Sequence, residues 1–204
     1  YNVIGDTMYV IDKNVSNEII IKNSRFITFL FKVETKNEIE NKLELIKKDH
    51  PKATHYCYAY ITSKFKKSSD DGEPGGTAGV PILNVLEKEK LTNILAIVVR
   101  YFGGIKLGAG GLVRAYSKSI TEALSKINYI SLVDGYLIEL TFDYKNQKNI
   151  DKYLKNSIII EQSFKEKIYY KVLIKKELLE SLSSYNPNII KESLIEECDW
   201  LSLS

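Results

Sequence analysis

Cysteine and histidine are scarce in this sequence of 204 residues, which has two of each. Cys57 and Cys198 lie far apart, so with His50 and His55 they make neither a disulfide framework nor a zinc ligand set. Such cysteine use is typical of the reducing cytoplasm, where we expect this protein to reside. The sequence also lacks an apolar run of about 18 residues and a secretory signal, so no membrane partner is expected.

Charge of one sign is also not abundant, since the net charge is only +3. A value this small does not argue for nucleic-acid binding by itself. The distribution is uneven: residues 1–134 carry 19 Lys and Arg against 15 Asp and Glu, net +4, and the remaining residues carry 10 against 11, net −1. An anionic partner is therefore expected to prefer the first part of the chain.

The first part of the chain is predicted to alternate strands and helices. Two strands are expected within residues 18–33, around a polar tip at 22–24, and a third at 53–62. Helical spacing of apolar residues predicts a helix at 36–49, and two more should follow, one with Pro81 in its first turn and one at about 112–127. The apolar run at 92–102 suits a central strand that is buried on both faces.

The pattern of elements restarts after residue 135. The expected order is a strand at 136–144, a helix with Ile150, Tyr153 and Leu154 facing inward, strands at 157–164 and 167–175, a short helix near 176–184 and a last strand near 188–195. This β-α-β-β-α-β order is that of a ferredoxin-like domain. We therefore divide the chain into domains 1–132 and 133–204.

The strand at 53–62 carries a row of tyrosines on one face. Alternation directs Tyr56 and Tyr58 to the same side, with Tyr60, and His55 and Cys57 to the other. Tyr56 and Tyr58 are candidate stacking residues for a ligand; the alternative is that they pack beneath a helix. His55 and Cys57 lack the third, orienting group that a nucleophilic pair needs.

The glycine-rich segment 103–111 has the look of a nucleotide loop but fails in detail. Gly103 and Gly108 have the spacing of a P-loop, yet Ala109 and Gly110 occupy the positions of its Lys and Ser/Thr. Gly108 and Gly110 fit a dinucleotide fingerprint, but Val113 replaces its third glycine. No nucleotide cofactor is therefore expected.

The same segment leads into a helix N-terminus, which attracts anions through its free N–H groups. Two cations flank that end, and a third lies on the preceding strand. The candidate binding residues here are Lys106, Gly108, Gly110, Gly111, Arg114 and Arg100. The alternative is tight packing of strand and helix, with Arg100 paired to an acid.

Three carboxylates, Asp70, Asp71 and Glu73, crowd a second loop. Clustered oxygens can bind Mg²⁺ or Ca²⁺, but the spacing lacks the EF-hand pattern and the ligands are few, so we assign no metal. These acids are instead expected to cap turns, to pair with Arg100 or Arg114, or to recognise a partner.

The stretches SSDDGEPGGTAGVPIL (68–83) and VVRYFGGIKLGAGGLVRAYS (98–117) together resemble the paired signature of the YigZ/IMPACT family. KNSRFIT (22–28) and HPKATHYCYAY (50–60) match that family in type and place. The resemblance implies an α+β protein of two domains. The first is expected to be a ribosomal-protein-like β/α domain similar to domain IV of elongation factor G. The second is expected to be ferredoxin-like, similar to domain V of that factor.

The resemblance implies the bacterial two-domain form, without the RWD domain by which eukaryotic relatives bind a partner, and it implies no agreed reaction. The favoured hypothesis is a non-enzymatic regulator or binding protein associated with translation, which contacts RNA, the ribosome or a translation-related factor. One alternative is a protein-interaction module that binds no nucleic acid. A further alternative is a metal-dependent hydrolase that uses the loop carboxylates.

Overall fold

A five-stranded antiparallel sheet forms the centre of the first of two units in the computed structural model, which describes residues 7–196. Across the sheet the strands are β2 (Val15–Ile21), β3 (Ser24–Lys32), β6 (Ile94–Tyr101), β4 (His55–Ile61) and β5 (Lys66–Ser69). The predicted hairpin is present. Lys22 and Asn23 at its tip have φ values of 47° and 64°, as a tight two-residue turn between twisted strands requires.

Strand β6 is the central strand, as its apolar run predicts. It pairs with β3 on one side and β4 on the other, and every residue from Ile94 to Arg100 is buried. Because both edges and both faces are covered, a continuous apolar sequence is favoured over an alternating one. The Gly, Ser and Asp content of residues 63–80 predicts a loop there. The outermost strand β5 lies inside this stretch, so that prediction is wrong for its four residues.

Helices cover both faces of this sheet. Helix α1 (Lys36–Asp49) begins with a capping box formed by Thr35 and Glu38 and buries Ile39 and Ile46 against one face. Helices α2 (Gly79–Lys88) and α3 (Ala109–Leu124) pack on the other face. The unit is therefore a sheet between two helical layers.

The second unit begins at Ser131 and has the predicted β-α-β-β-α-β order. Its elements are β7 (Tyr129–Phe142), whose first two residues belong to the first unit, α4 (Gln147–Tyr153), β8 (Ile158–Phe164), β9 (Ile168–Lys175), α5 (Leu178–Ser181) and β10 (Asn188–Glu196). The strands lie in the order β10-β7-β9-β8 and are all antiparallel, which is the ferredoxin-like arrangement. The short strand β1 (Met8–Ile11) belongs to the first unit.

The helices of the second unit cover one face of its sheet. Ile150 and Leu154 are buried there, as predicted, but Tyr153 is 44% exposed, so its predicted inward orientation is wrong. Tyr153 is the last residue of α4 and keeps helical dihedral angles, and at about 100° per residue it lies about 100° around the helix axis from the buried Leu154, at the margin of the buried face. None of the helices in residues 7–196 is long and apolar enough to cross a membrane.

Candidate functional site

Asp70 closes the acidic loop and caps α2. Its Oδ1 accepts hydrogen bonds from the backbone N–H groups of Ala78 (2.9 Å) and Gly79 (2.8 Å), and its Oδ2 accepts one from Gly76 (2.8 Å). Burial acts to raise the pKa of Asp70, but the three backbone donors outweigh it and hold the pKa below its ordinary value. The N-terminus of α2 thus has its anion supplied from within the chain.

Asp71 joins the same loop to strand β4. Its carboxylate Oδ2 accepts from the N–H of Tyr56 at 2.6 Å, and its carbonyl oxygen lies 2.8 Å from Nδ1 of His55. A carbonyl oxygen only accepts, so Nδ1 of His55 carries a proton and donates. Both contacts fasten the loop to the start of the strand.

Glu73 is the buried centre of a polar cluster. Nη1 of Arg100 lies 2.5 Å from its Oε1, and the hydroxyl of Tyr116 donates to the same oxygen at 2.7 Å. Nε2 of His55 lies 3.8 Å away. The side chains of Glu73 and Arg100 are only 4% and 6% exposed, so each charge depends on the other for compensation.

The thiol of Cys57 lies at the edge of this cluster. Its Sγ is 2.9 Å from the carbonyl oxygen of Asp70 and 3.2 Å from the hydroxyl of Tyr116. Burial, above all, raises the pKa of Cys57 to about 12 and also raises the pKa of Tyr116. A thiol with that pKa stays protonated near neutrality and is a poor nucleophile. The described residues contain no group of three or more His, Cys, Asp or Glu side chains placed to hold a metal ion.

The glycine-rich loop runs from β6 to α3. A Cβ on Gly103 would lie 2.0 Å from the backbone carbon of Asn23, so the loop crosses the β2–β3 hairpin at a distance that only glycine allows. Gly108 is the N-cap of α3, with φ of 72°. No side chain in the described part of the chain caps this helix, and its first turn contains no acid. The other predicted glycines, Gly110 and Gly111, lie in that first turn.

The two predicted cations of this loop are exposed beside the start of α3. A Cβ on Gly110 would lie 3.6 Å from Nη1 of Arg114, so that guanidinium lies along the first helical turn. Across the part of the chain that the structure describes, no ion pair involves Lys106 or Arg114. The start of α3 therefore has positive charge and no carboxylate, in contrast to α2.

Tyr56 and Tyr58 lie on the opposite face of the sheet, with α1. They are partly buried there, and the hydroxyl of Tyr56 donates to the carbonyl oxygen of His50 at 2.5 Å. The predicted site residues therefore fall into three groups. Asp70, Asp71, Glu73 and Arg100 make contacts within the fold; Lys106, Gly108, Gly110, Gly111 and Arg114 surround the start of α3; Tyr56 and Tyr58 lie beside α1.

Sequence reasoning did not find two members of the polar cluster. Tyr116 is on the buried face of α3, where its spacing from Leu112 indicates only a core residue. Ser24 belongs to the cluster because its Oγ lies 3.5 Å from Nη2 of Arg100, and it also accepts from the N–H of Gly103 at 3.1 Å. It has no sequence signal beyond its place next to a turn. A phenol five residues after Gly111, on a largely apolar helix face, is the one hint that the sequence offers.

The chain is similar to known proteins in both sequence and structure. The model of the Impact N-terminal domain matches residues 22–124. IMPACT family member YvyE of Bacillus subtilis (strain 168) is 40% identical over 174 residues, 83% of this chain and 80% of its own. An IMPACT family member of Haemophilus influenzae is 40% identical over 173 residues, 80% of this chain and 83% of its own. A solved crystal structure of a hypothetical protein is 30% identical with a TM-score of 0.63, and covers 96% of this chain and 100% of its own.

Proposed function

The chain belongs to the IMPACT family, and on this premise we propose that it is a non-enzymatic binding protein associated with translation. Its partner in this proposal is RNA, the ribosome or a translation-related factor. The likeness to two elongation-factor domains that the family resemblance implies supports this context, although fold alone is a weak guide to function. The proposal therefore depends on the chemistry of the surface.

The observation that carries the proposal is the difference between the acidic loop, which leads into α2, and the glycine-rich loop, which leads into α3. In the first loop Asp70 already occupies the start of α2, and Glu73 is neutralised by Arg100. In the second loop the start of α3 is uncapped, and Lys106 and Arg114 beside it are exposed. An uncapped helix start with two unpaired cations suits a phosphate group.

The occupied carboxylates also favour binding over catalysis. A general acid or base must reach a substrate proton, and a metal site needs several free oxygen ligands. Asp70 accepts three backbone hydrogen bonds, Asp71 accepts one, and Glu73 is buried. These contacts account for the acids of the loop as parts of its structure.

Co-sedimentation with ribosomes at two salt concentrations tests the proposal. We expect the wild-type protein to pellet with ribosomes at low salt and to dissociate as salt rises, because phosphate contacts release counterions. The variant Lys106→Glu/Arg114→Glu should stay in the supernatant. The matched control Lys88→Glu/Lys126→Glu changes charge equally at the far ends of α2 and α3 and should behave as wild type. Absence of pelleting at low salt, or pelleting by the first variant as strong as wild type, contradicts the proposal.

A protein-interaction module is the second candidate, and exposed apolar side chains near the same loop favour it. Phe102, Ile105 and Val113 are 46%, 45% and 37% exposed. Exposed apolar groups together often mark protein contacts. RNase treatment separates the candidates: association that is lost indicates RNA, and association that persists indicates contact with protein.

A further inference from the structure

A groove lies on the other face of the sheet, between α1 and the edge formed by β4 and β5. Its volume is about 190 Å³, and its lining residues are Lys36, Ile39, Glu40, Leu43, Tyr58, Tyr60 and Lys67. Two tyrosines, two lysines and one carboxylate therefore face a single concave surface with an apolar floor. This surface shares no residue with the start of α3.

The strand pattern explains why these side chains converge. Alternation along β4 directs Tyr58 and Tyr60 toward α1, while Cys57 and Ala59 face the other core. In the antiparallel register Tyr60 is opposite Lys67 of β5, so the lysine emerges on the tyrosine face. Lys66, on the reverse face, instead forms an ion pair with Glu87.

Two of the aromatic rings at the groove are parallel to each other. The rings of Tyr58 and Tyr60 are parallel to within 5°, with centroids 6.3 Å apart, and Phe65 meets Tyr60 edge-on at 5.8 Å. Both tyrosines are only partly buried. Parallel, accessible rings are the type of surface on which nucleobases stack, because every base has an apolar face.

Lysines in and near the groove lack acidic partners within residues 7–196. Nζ of Lys36 lies 5.2 Å from the ring centroid of Phe65, and Nζ of Lys47 lies 5.9 Å from that of Tyr56. No ion pair among the described residues involves Lys36, Lys47 or Lys67. With Glu40 the only acid in the groove, its charge favours an anionic ligand.

We propose that this groove, the α1–β4 groove, binds a single-stranded segment of RNA. Unpaired bases stack on Tyr58 and Tyr60, and the phosphates lie against Lys36 and Lys67. A duplex cannot fit, because its bases are paired and stacked inside and a narrow groove reaches only splayed bases. An acidic peptide would satisfy the lysines but would leave the parallel rings without planar partners. The choice of RNA over DNA rests on the proposed function.

Fluorescence anisotropy with a short labelled oligouridine, single-stranded or annealed to oligoadenosine, tests this site. We expect the single strand to bind and the duplex to bind much more weakly. In the variant Lys36→Glu/Lys67→Glu, affinity should fall less steeply with salt. The magnitude of the negative slope of log affinity against log salt should decrease by about 1.4, at about 0.7 per lost phosphate contact. The control Lys88→Glu/Lys126→Glu, at the far ends of the two helices that pack on the opposite face of the sheet, should leave affinity unchanged.

Stacking is tested by a second pair of variants. Tyr58→Phe/Tyr60→Phe keeps both rings and should bind as wild type. Tyr58→Leu/Tyr60→Leu should weaken binding at least about fivefold, the lower limit for loss of one stacked base. Circular dichroism confirms folding of each variant. If the leucine variant does not fold, ultraviolet crosslinking of wild type decides instead: crosslinks within residues 55–61 support the groove, and crosslinks confined to residues 103–114 refute it.

The results separate this inference from the proposed function. Oligouridine that does not bind at low salt, a preference for duplex, or full affinity in the Lys36→Glu/Lys67→Glu variant overturns the groove. Displacement of the oligouridine by polyglutamate at equal charge concentration also overturns it, since the site would then recognise charge alone. If ribosome pelleting depends on Lys106 and Arg114 but oligouridine does not bind, only the proposed RNA site in the groove is contradicted. If oligouridine binds at the groove but the protein does not pellet with ribosomes, only the translation-associated function is contradicted.

Discussion

Replacement of Glu73 by glutamine should destabilise the first unit far more than an ordinary surface change. Glutamine has nearly the same shape and can still accept from Tyr116 and Arg100. What it removes is the negative charge 2.5 Å from Nη1 of Arg100. The guanidinium is then a buried cation that faces no negative charge. Among the described residues Nη2 contacts the neutral Ser24 hydroxyl at 3.5 Å and Nε has no hydrogen-bond partner, while Cζ lies 5.4 Å and 5.6 Å from the ring centroids of Phe26 and Phe102.

The size of the effect follows from the burial of the pair. Loss of one member of a buried ion pair costs about 3–5 kcal/mol, whereas replacement of both members by groups of similar volume is often neutral. We therefore expect Glu73→Gln to lower the free energy of unfolding by about 3 kcal/mol. The double variant Glu73→Gln/Arg100→Met should be more stable than either single variant, with a coupling energy of about 2 kcal/mol or more.

Native-state hydrogen exchange at the amides of β6 is the appropriate measurement. These amides lie at the centre of the first unit's sheet, so their opening free energy reports the unfolding of that sheet. Exchange should accelerate by about two orders of magnitude in Glu73→Gln and recover in the double variant. A change below about 1 kcal/mol in Glu73→Gln, or single-variant effects that simply add, would refute the view that these charges neutralise each other.

Two further predictions concern the loops. Because the pKa of Asp70 is lowered in the folded protein, its stabilising contribution is fully present above its unfolded pKa of about 3.9 and is lost as pH falls through the lower folded value. The stability of Asp70→Asn should therefore depend less steeply on pH than that of wild type during acid unfolding. Identical acid-unfolding curves for the two proteins would contradict the capping role. Gly103→Ala should lower the free energy of unfolding in urea by about 3 kcal/mol or more, because the added Cβ meets the Asn23 backbone. The control Gly75→Ala places its Cβ in open space and should be nearly neutral. Equal unfolding midpoints for the two variants would show that the loop moves freely.

Elements with a strong local signal could be predicted from the sequence. The apolar run at 92–102 indicates the central strand because only a strand covered on all sides tolerates so continuous a run. The Ile39–Ile46 spacing similarly indicates one buried helix face. In the second unit, alternation and turn residues were sufficient for the order of six elements, since each signal depends on residues close together in the chain.

Elements that depend on distant partners were harder to predict. Strand β5 consists of lysines and serines with little strand preference and exists because β4 offers it an edge to pair with. Tyr153 lies at the end of its helix and at the margin of the buried face, where helical spacing alone does not decide whether a side chain is buried. The spacing reports where a side chain would point in an ideal helix, but the packed chain decides where that helix stops.

The sequence by itself determined the family, the two-domain α+β class and the two loops that carry charge and glycine. Only the tertiary structure decided which charges meet: Glu73 pairs with Arg100, 27 positions away, and leaves Arg114 exposed. It also decided that Tyr58 lies across the sheet from the glycine loops, beside lysines of α1 and β5. The physical reason is that the pairing of a buried charge depends on which opposite charge lies near it in the folded chain and on how far both are removed from water. A local sequence pattern records neither property.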